Sequence, residues 1–133
     1  LIVMSKVYNG INIQFPISQL IISGRKSVET RTYPIPKRLI GKDLVLIETP
    51  GKKGKFKARM IALIRFEDSF PYKTKTDFYK DLTRHCVDRD SPWAWNEEKP
   101  KWGWPVEVRE IFRTPLPLQK RSGIRYATGI RLP

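Results

Sequence analysis

A mixed α+β fold, mainly β, is what this sequence predicts: about six strands forming a mixed or antiparallel barrel, with two or three short flanking helices. Three observations carry that expectation. Short apolar stretches with period-two alternation recur between Gly- and Pro-rich breaks. Segments with helical spacing are few, and they interrupt the strands without the regular βαβ alternation of a parallel doubly wound sheet. At 133 residues, 40% of them hydrophobic, the chain fits a single domain over residues 1–133 with a core of its own.

Ile11, Ile13 and Phe15 alternate with Asn12 and Gln14 after an Asn9-Gly10 turn signal, the period of a half-buried strand ending near Pro16. Residues 1–10 are expected as a disordered or vector-derived leader, with Met4 a candidate native start. Ile17, Leu20 and Ile21 fall at helical spacing and Gly24 stands where a left-handed stop belongs, so a helix is expected over Ile17 to Ser23. Val28, Thr30, Thr32 and Tyr33 then form a strand that breaks at Pro34 and Pro36. Leu44 to Thr49 is a compact apolar strand. Pro50-Gly51-Lys52-Lys53-Gly54 turns it into a longer strand from Lys55 to Phe66, completing a hairpin. Thr76 to Val87 is expected to be helical, with Thr76 and Asp77 as capping candidates and Phe78, Leu82 and Cys86 along one face. Asp88 to Pro100 suggests an ordered loop. Strands resume over Trp102 to Phe112 and Ile124 to Leu132, divided by a turn region at Pro115, Pro117 and Gly123. The expected core is Ile13, Phe15, Leu20, Val28, Leu46, Ile61, Leu63, Leu82 and Ile111.

Lys and Arg number 26 against 13 Asp and Glu, a formal net charge of +13. Such an excess repels itself unless a polyanion neutralises it, and a nucleic acid is the natural partner. Lys53, Lys55 and Lys57, at the tip and ascending arm of the expected hairpin, are candidates for tracking phosphates, since period two puts the charges of the arm on one solvated face. Trp93, Trp95, Trp102 and Trp104 lie among Lys99 and Lys101, a mixture of rings and cations on which unpaired bases stack. At least two of the four are expected in the core; Trp93 and Trp95 are candidate base contacts.

With one cysteine, Cys86, and one histidine, His85, an internal disulfide and the usual zinc sites are excluded, and neither metal nor cofactor is expected. These two are sequence neighbours, which argues against a Cys/His catalytic pair and makes Cys86 a small apolar filler. Gly51-Lys52-Lys53-Gly54 lacks the ending and following helix of a P-loop, which disfavours nucleotide hydrolysis. No apolar run approaches the roughly 20 residues that span a bilayer, and Leu1-Ile2-Val3 is too short for a signal peptide. A cytoplasmic protein, or a nuclear one if eukaryotic, without a membrane partner is expected.

The densest chemistry lies at Lys26, Glu29 and Arg31. Glu29 and Arg31 are two apart on an expected strand and share a face, where a carboxylate and a guanidinium can pair or frame a polar ligand. Lys26, at the helix-to-strand turn, can reach the same cleft, with Tyr33 on its wall. Converging ionisable groups shift one another's pKa values, a mark of functional sites. The competing account is a surface salt-bridge cluster, worth below about 1 kcal/mol per pair.

The stretch Gly24-Arg25-Lys26-Ser27-Val28-Glu29-Thr30-Arg31 resembles the G-x-K-x-x-E-x-R signature of the activating-signal-cointegrator homology (ASCH) family, with Gly24, Lys26, Glu29 and Arg31 in all four places. Tyr33-Pro34, Gly41-Lys42-Asp43-Leu44 and Trp102-Gly103-Trp104 are similar to that motif's usual surroundings, so the likeness extends from about Ile11 to Leu132, although only the motif is sharp. The resemblance implies a PUA-like β-barrel and an RNA-binding module that takes single-stranded RNA or a nucleotide in a cleft lined by Lys26, Glu29 and Arg31. The same residues would be catalytic if the protein were an enzyme. Two activities of the fold are alternatives. In amidohydrolases that deacylate acetylcytidine, a Thr nucleophile activated by the lysine matching Lys26 stands where this chain has Glu29. In a ribonuclease, Lys26, Glu29 and Arg31 would serve as acid, base and phosphate clamp, His85 being far off in sequence. A protein-interaction module for acidic partners is a third reading.

Overall fold

The computed structural model describes residues 6–118 and 123–133. Residues 1–5 of the expected leader and 119–122 of the expected turn lie outside them. The fold is mixed α+β, dominated by a seven-stranded sheet with three short α-helices among the described residues. In chain order these are β1 (Val7–Gln14), α1 (Ile17–Ile22), β2 (Val28–Arg31), β3 (Asp43–Thr49), β4 (Arg59–Phe66), β5 (Phe70–Pro71), α2 (Lys75–Lys80), α3 (Leu82–His85), β6 (Trp102–Pro117) and β7 (Tyr126–Arg131). Hydrogen bonding orders the strands β2-β6-β4-β3-β1-β7, with β5 added on β6. The chain divides into two compact units, the first made of the chain up to Gln19 with Asp43–Ile64 and Val108–Pro133, the second of Leu20–Lys42 and Arg65–Glu107.

In the first unit β1 and β3 are parallel, in register from Asn9 opposite Leu44 to Gln14 opposite Thr49. A parallel pair cannot be joined by a tight turn and needs a long crossover. Here the crossover runs from Phe15 to Lys42 and carries the Lys26, Glu29 and Arg31 segment. β7 pairs antiparallel with β1, and the register shifts between Tyr8 and Gly10. Ladder partners on both sides hold β1 in place from Val7, so Val7–Gly10 are strand where a leader was expected. Gly10 is needed for close approach: a Cβ there would meet Ile130 Cδ1 at 2.8 Å and Ile47 Cδ1 at 2.9 Å. Val45, Ile47, Met60, Leu63, Ala127 and Ile130 form this unit's buried cluster, with Tyr8, Phe112 and Leu116 packed against it.

Three further expectations fail in this unit. β4 begins at Arg59, and residues 50–58 form a loop closed by the Gly54 N–H on the Pro50 carbonyl at 2.8 Å. Phe56 is the anchor of that loop: it packs edge-on against Phe15 at 5.6 Å, and the Arg59 guanidinium lies 4.0 Å from its ring centroid. Lys55 and Lys57 therefore sit on a loop, with no strand period to align them. Ile111, expected in the core, is 55% exposed because Phe112 and Leu116 set the phase of β6. β6 also runs on to Pro117, through prolines expected in a turn; the fixed proline φ suits extended backbone wherever its missing N–H is not needed.

The second unit begins in α1, which stops at Gly24 with φ +81, the left-handed position only glycine takes cheaply. β2 then pairs antiparallel with β6, from Val28 opposite Pro105 to Arg31 opposite Trp102, and β5 pairs with the same end of β6. The expected single helix over Thr76 to Val87 is two. Asp81 leaves helical geometry at φ −98, ψ 16, and its carboxylate accepts from the Tyr72 hydroxyl and from Arg84. The break turns the next segment, so Leu82 is 40% exposed instead of buried, while His85 and Val87 enter the core beside Phe78 and Tyr72. Thr74, not Thr76 or Asp77, is the N-cap, accepting from the Asp77 N–H at 3.0 Å. Phe15 and Leu20 are half-buried, and the remaining expected core residues are buried.

Candidate functional site

Lys26, Glu29, Arg31 and Tyr33 all belong to the second unit, and the structure brings them together. The turn after α1 places Lys26: its own N–H reaches the Leu20 carbonyl, and the Ser27 N–H donates to the Arg84 carbonyl at 2.9 Å. The Lys26 side chain runs inward and its ammonium donates to the His85 carbonyl at 2.5 Å. Glu29 faces Trp104 across the β2–β6 ladder and Arg31 faces Trp102, so period two puts both on the face that carries the two rings. Glu29 Oε1 lies 3.6 Å from Lys26 Nζ and also accepts the Thr30 N–H, while Glu29 Oε2 accepts from Arg31 at 3.1 Å. Arg31 extends to the Tyr33 hydroxyl at 3.4 Å, and its guanidinium carbon stands 5.5 Å from the centroid of the Trp104 ring. Trp104 is fully buried, fixed by its indole N–H on the Tyr33 carbonyl at 3.1 Å and by edge-on contacts with Tyr33 and Phe66.

This is a buried cluster and not a surface one. The Lys26 side chain is 1% exposed and that of Glu29 8%, whereas Arg31 keeps 17% and forms the accessible edge. Burial drives the Lys26 ammonium below the ordinary lysine range, further than Glu29 can lift it. Burial alone would raise Glu29, but Arg31 and then Lys26 outweigh it and hold the carboxyl below its usual range. Arg31 is held above its ordinary value: burial opposes its charge, and Glu29 and Tyr33 together overcome that.

Lys101, read from the sequence only as a cation among the tryptophans, and His85, read as far off in sequence, both fall in the second unit. Lys101 is 8% exposed, directly before the β6 residue that faces Arg31, and burial lowers its pKa while Glu29 acts to raise it. His85 is fully buried and stacked on Phe78 at 4.1 Å. Its Nδ1 accepts the Val87 N–H at 2.9 Å, so the proton sits on Nε2, which donates to the Phe78 carbonyl. The ring is a structural element of the wall and its carbonyl holds Lys26. A lone lysine in a cation-rich chain and a lone histidine on a helix give no periodic signal that would have found them.

The other candidates fall elsewhere. Lys53, Lys55 and Lys57 are exposed on the loop of the first unit. Trp93 is 38% exposed in the loop after α3. Trp95 is half-buried, 5.5 Å from Phe78, with its backbone N–H on the Tyr79 hydroxyl, a packing role. Of the four tryptophans Trp104 alone is fully buried, fewer than the two expected. Lys75, Thr76, Tyr79, Lys80 and Arg89 line a basic concavity of about 460 Å³ in the second unit, with the Arg89 guanidinium 4.1 Å from the Tyr79 ring centroid. Cys86 is half-buried in left-handed geometry. Among the described residues no group of three or more His, Cys, Asp or Glu could hold a metal, and no helix is long and apolar enough to cross a membrane. No protein-family model matches the chain, and no curated protein matches it.

Proposed function

We propose that this chain is an RNA-binding domain of the ASCH type, with the PUA-like barrel that the motif implies, and that it holds single-stranded RNA or a nucleotide at the Lys26, Glu29 and Arg31 cluster. The observation that carries this is the convergence of the motif residues in a buried ionic cluster walled by Tyr33 and Trp104. Isolated surface pairs would carry no such meaning. The net charge of +13 supplies the attraction for a polyanion. The exposed Lys53, Lys55 and Lys57, and the Lys75, Lys80 and Arg89 concavity, offer the sequence-independent contacts to phosphates. An RNA partner places the protein in the cytoplasm or the nucleus.

Binding is favoured over turnover because Lys26 and Glu29 are committed to internal partners. Lys26 is held by a carbonyl and a carboxylate, and both Glu29 oxygens are occupied, leaving neither aligned as a free acid or base. Fluorescence anisotropy with a labelled single-stranded RNA across a salt series tests the proposal. Contact with about four to six phosphates gives a log–log slope of about −3 to −4. Charge reversal at Lys53, Lys55 and Lys57 should flatten the slope and weaken all sequences alike, whereas Arg31→Ala should alter base preference with less change in slope. RNA or modified-nucleoside turnover that Lys26→Ala abolishes would make the protein an enzyme instead. Absence of both salt-dependent RNA binding and turnover would leave the protein-interaction reading.

A further inference from the structure

The outward face of α2 carries a second set of cations, which the motif cluster does not use. Lys75, Thr76, Tyr79 and Lys80 fall at i, i+1, i+4 and i+5, so one side of the helix presents them together, and with Arg89 they line the basic concavity of about 460 Å³. None of the motif residues lines it. Tyr79 is fixed at two points: its hydroxyl accepts the Trp95 backbone N–H at 3.2 Å, and its ring meets Phe78 edge-on at 5.0 Å. Arg89 is held against that ring, its guanidinium carbon 4.1 Å from the centroid, on a turn in which the Asp88 carboxylate accepts the Asp90 N–H at 3.0 Å. Arg31, Arg59 and Arg84 also lie over aromatic rings, and each of those is tied to a carboxylate, Glu29, Glu48 and Asp81 in turn. Arg89 is not. Among the described residues no carboxylate pairs with Lys75, Lys80 or Arg89, although Asp77, Asp88 and Asp90 are close in sequence. All three cations are exposed, so the guanidinium face turned away from Tyr79 is open.

We propose that this concavity binds one unpaired nucleotide of an RNA strand, with the base laid on the open face of Arg89 and the phosphate between Lys75 and Lys80. This rests on the RNA reading above and adds to it a second contact, apart from the motif cluster. Guanidinium planes and aromatic rings are the surfaces on which splayed bases stack, and the fixed Tyr79 ring holds the Arg89 plane in place before the ligand arrives. A volume of about 460 Å³ suits one small ligand and is too small for a duplex, whose bases are already stacked on one another. Stacking of this kind accepts any base, so the contact adds affinity without sequence preference.

Fluorescence anisotropy of the whole chain with three labelled ligands tests this: a ten-nucleotide single-stranded RNA, the same RNA in a duplex, and an abasic strand of equal length that keeps the phosphates. Arg89→Lys preserves the charge and removes the flat guanidinium. It should weaken single-stranded RNA by at least about fivefold and leave the duplex and the abasic strand unchanged. Lys75→Gln combined with Lys80→Gln should weaken the RNA and the abasic strand alike. Circular dichroism melts show that each variant is folded, as expected for exposed positions. Single-stranded RNA binding that Arg89→Lys leaves intact overturns the site, and the functional reading then stands on the motif cluster. An equal loss for the abasic strand also overturns it, since Arg89 would then be meeting phosphate alone. If the wild type binds no RNA, calorimetric titration with 5′-UMP decides. Binding that Arg89→Lys weakens upholds the nucleotide site and removes an RNA strand as its ligand; no binding overturns the site together with the functional reading.

Discussion

Glu29 and Glu48 are both buried carboxylates on strands, one in each compact unit, and they are satisfied in different ways. Glu48 is fully enclosed in the first unit. One of its oxygens accepts from the Ser18 hydroxyl at 2.6 Å and from Gln19 at 2.5 Å, the other from Arg59 at 2.9 Å. Burial works to raise its pKa, and those three donors overcome it and hold the carboxyl low. Neutral donors and a single cation complete that network. Glu29 has Lys26 and Arg31 against it, with the Thr30 N–H as its neutral donor. A carboxylate matched one to one is a closed piece of architecture; Glu29 has two cations against it, and Arg31 is the accessible edge at which the proposed ligand would sit. Burial and a depressed pKa, which the two share, do not tell them apart. The count of cations against anions does.

The largest effect expected from breaking this contrast is on the closed side. Glu48→Ala strands the buried Ser18 hydroxyl, the half-buried Gln19 amide and the Arg59 guanidinium, and should lower unfolding free energy by about 3 kcal/mol in urea melts. Nucleotide affinity of the folded fraction should be unchanged. A loss below about 1 kcal/mol would mean that Glu48 is no keystone of the first unit. Glu29→Gln should lower stability by about 2 kcal/mol, less because the amide keeps an oxygen that can still accept from the Thr30 N–H or Arg31, where alanine would leave none. Single-stranded RNA should raise the melting temperature of both variants, since a ligand that binds only the folded state stabilises it, with the smaller rise in Glu29→Gln, where the motif cluster itself is altered. Equal rises in both would dissolve the distinction.

The smallest effect is in acid. Both carboxylates are held low, so the stability each contributes is whole above about pH 4.3 and is lost only as pH falls through the depressed folded values. His85 responds earlier. Its pKa is lowered by burial, so below about pH 6.5 the unfolded chain takes up the proton first and stability falls, by at most about 1.4 kcal/mol per pH unit. Thermal melts between pH 7.5 and 5.5 should show that decline, and His85→Gln should flatten it. An unchanged slope would mean that His85 does not titrate in this window.

Much of the fold was legible because local pattern and tertiary demand agree there. Ile11 and Ile13 alternate and are buried, and Gly24 ends α1 with the positive φ expected of it. The motif cluster was legible for a similar reason: Glu29 and Arg31 are two apart on a real strand. What escaped was decided by contacts distant in sequence. Asp81 breaks a helix because Tyr72 takes its carboxylate, and Phe56 draws the 50–58 loop off β4 by packing on Phe15. Lys101 looks like any other lysine until its backbone, taking the Tyr72 N–H just before β6, is buried, and Glu48 ends an apolar run as a polar strand terminus would.

The most direct measurement of the central claim is a titration of isotope-labelled protein with single-stranded RNA, following the Arg31 Nε and Trp104 Nε1 resonances of the second unit against Arg59 Nε of the first. Binding at the motif cluster predicts that Arg31 and Trp104 shift and saturate with the dissociation constant found by anisotropy, while Arg59, locked on Glu48, stays still. RNA that saturates the protein without moving Arg31 or Trp104 would contradict it, and would place the contacts on the exposed lysines alone.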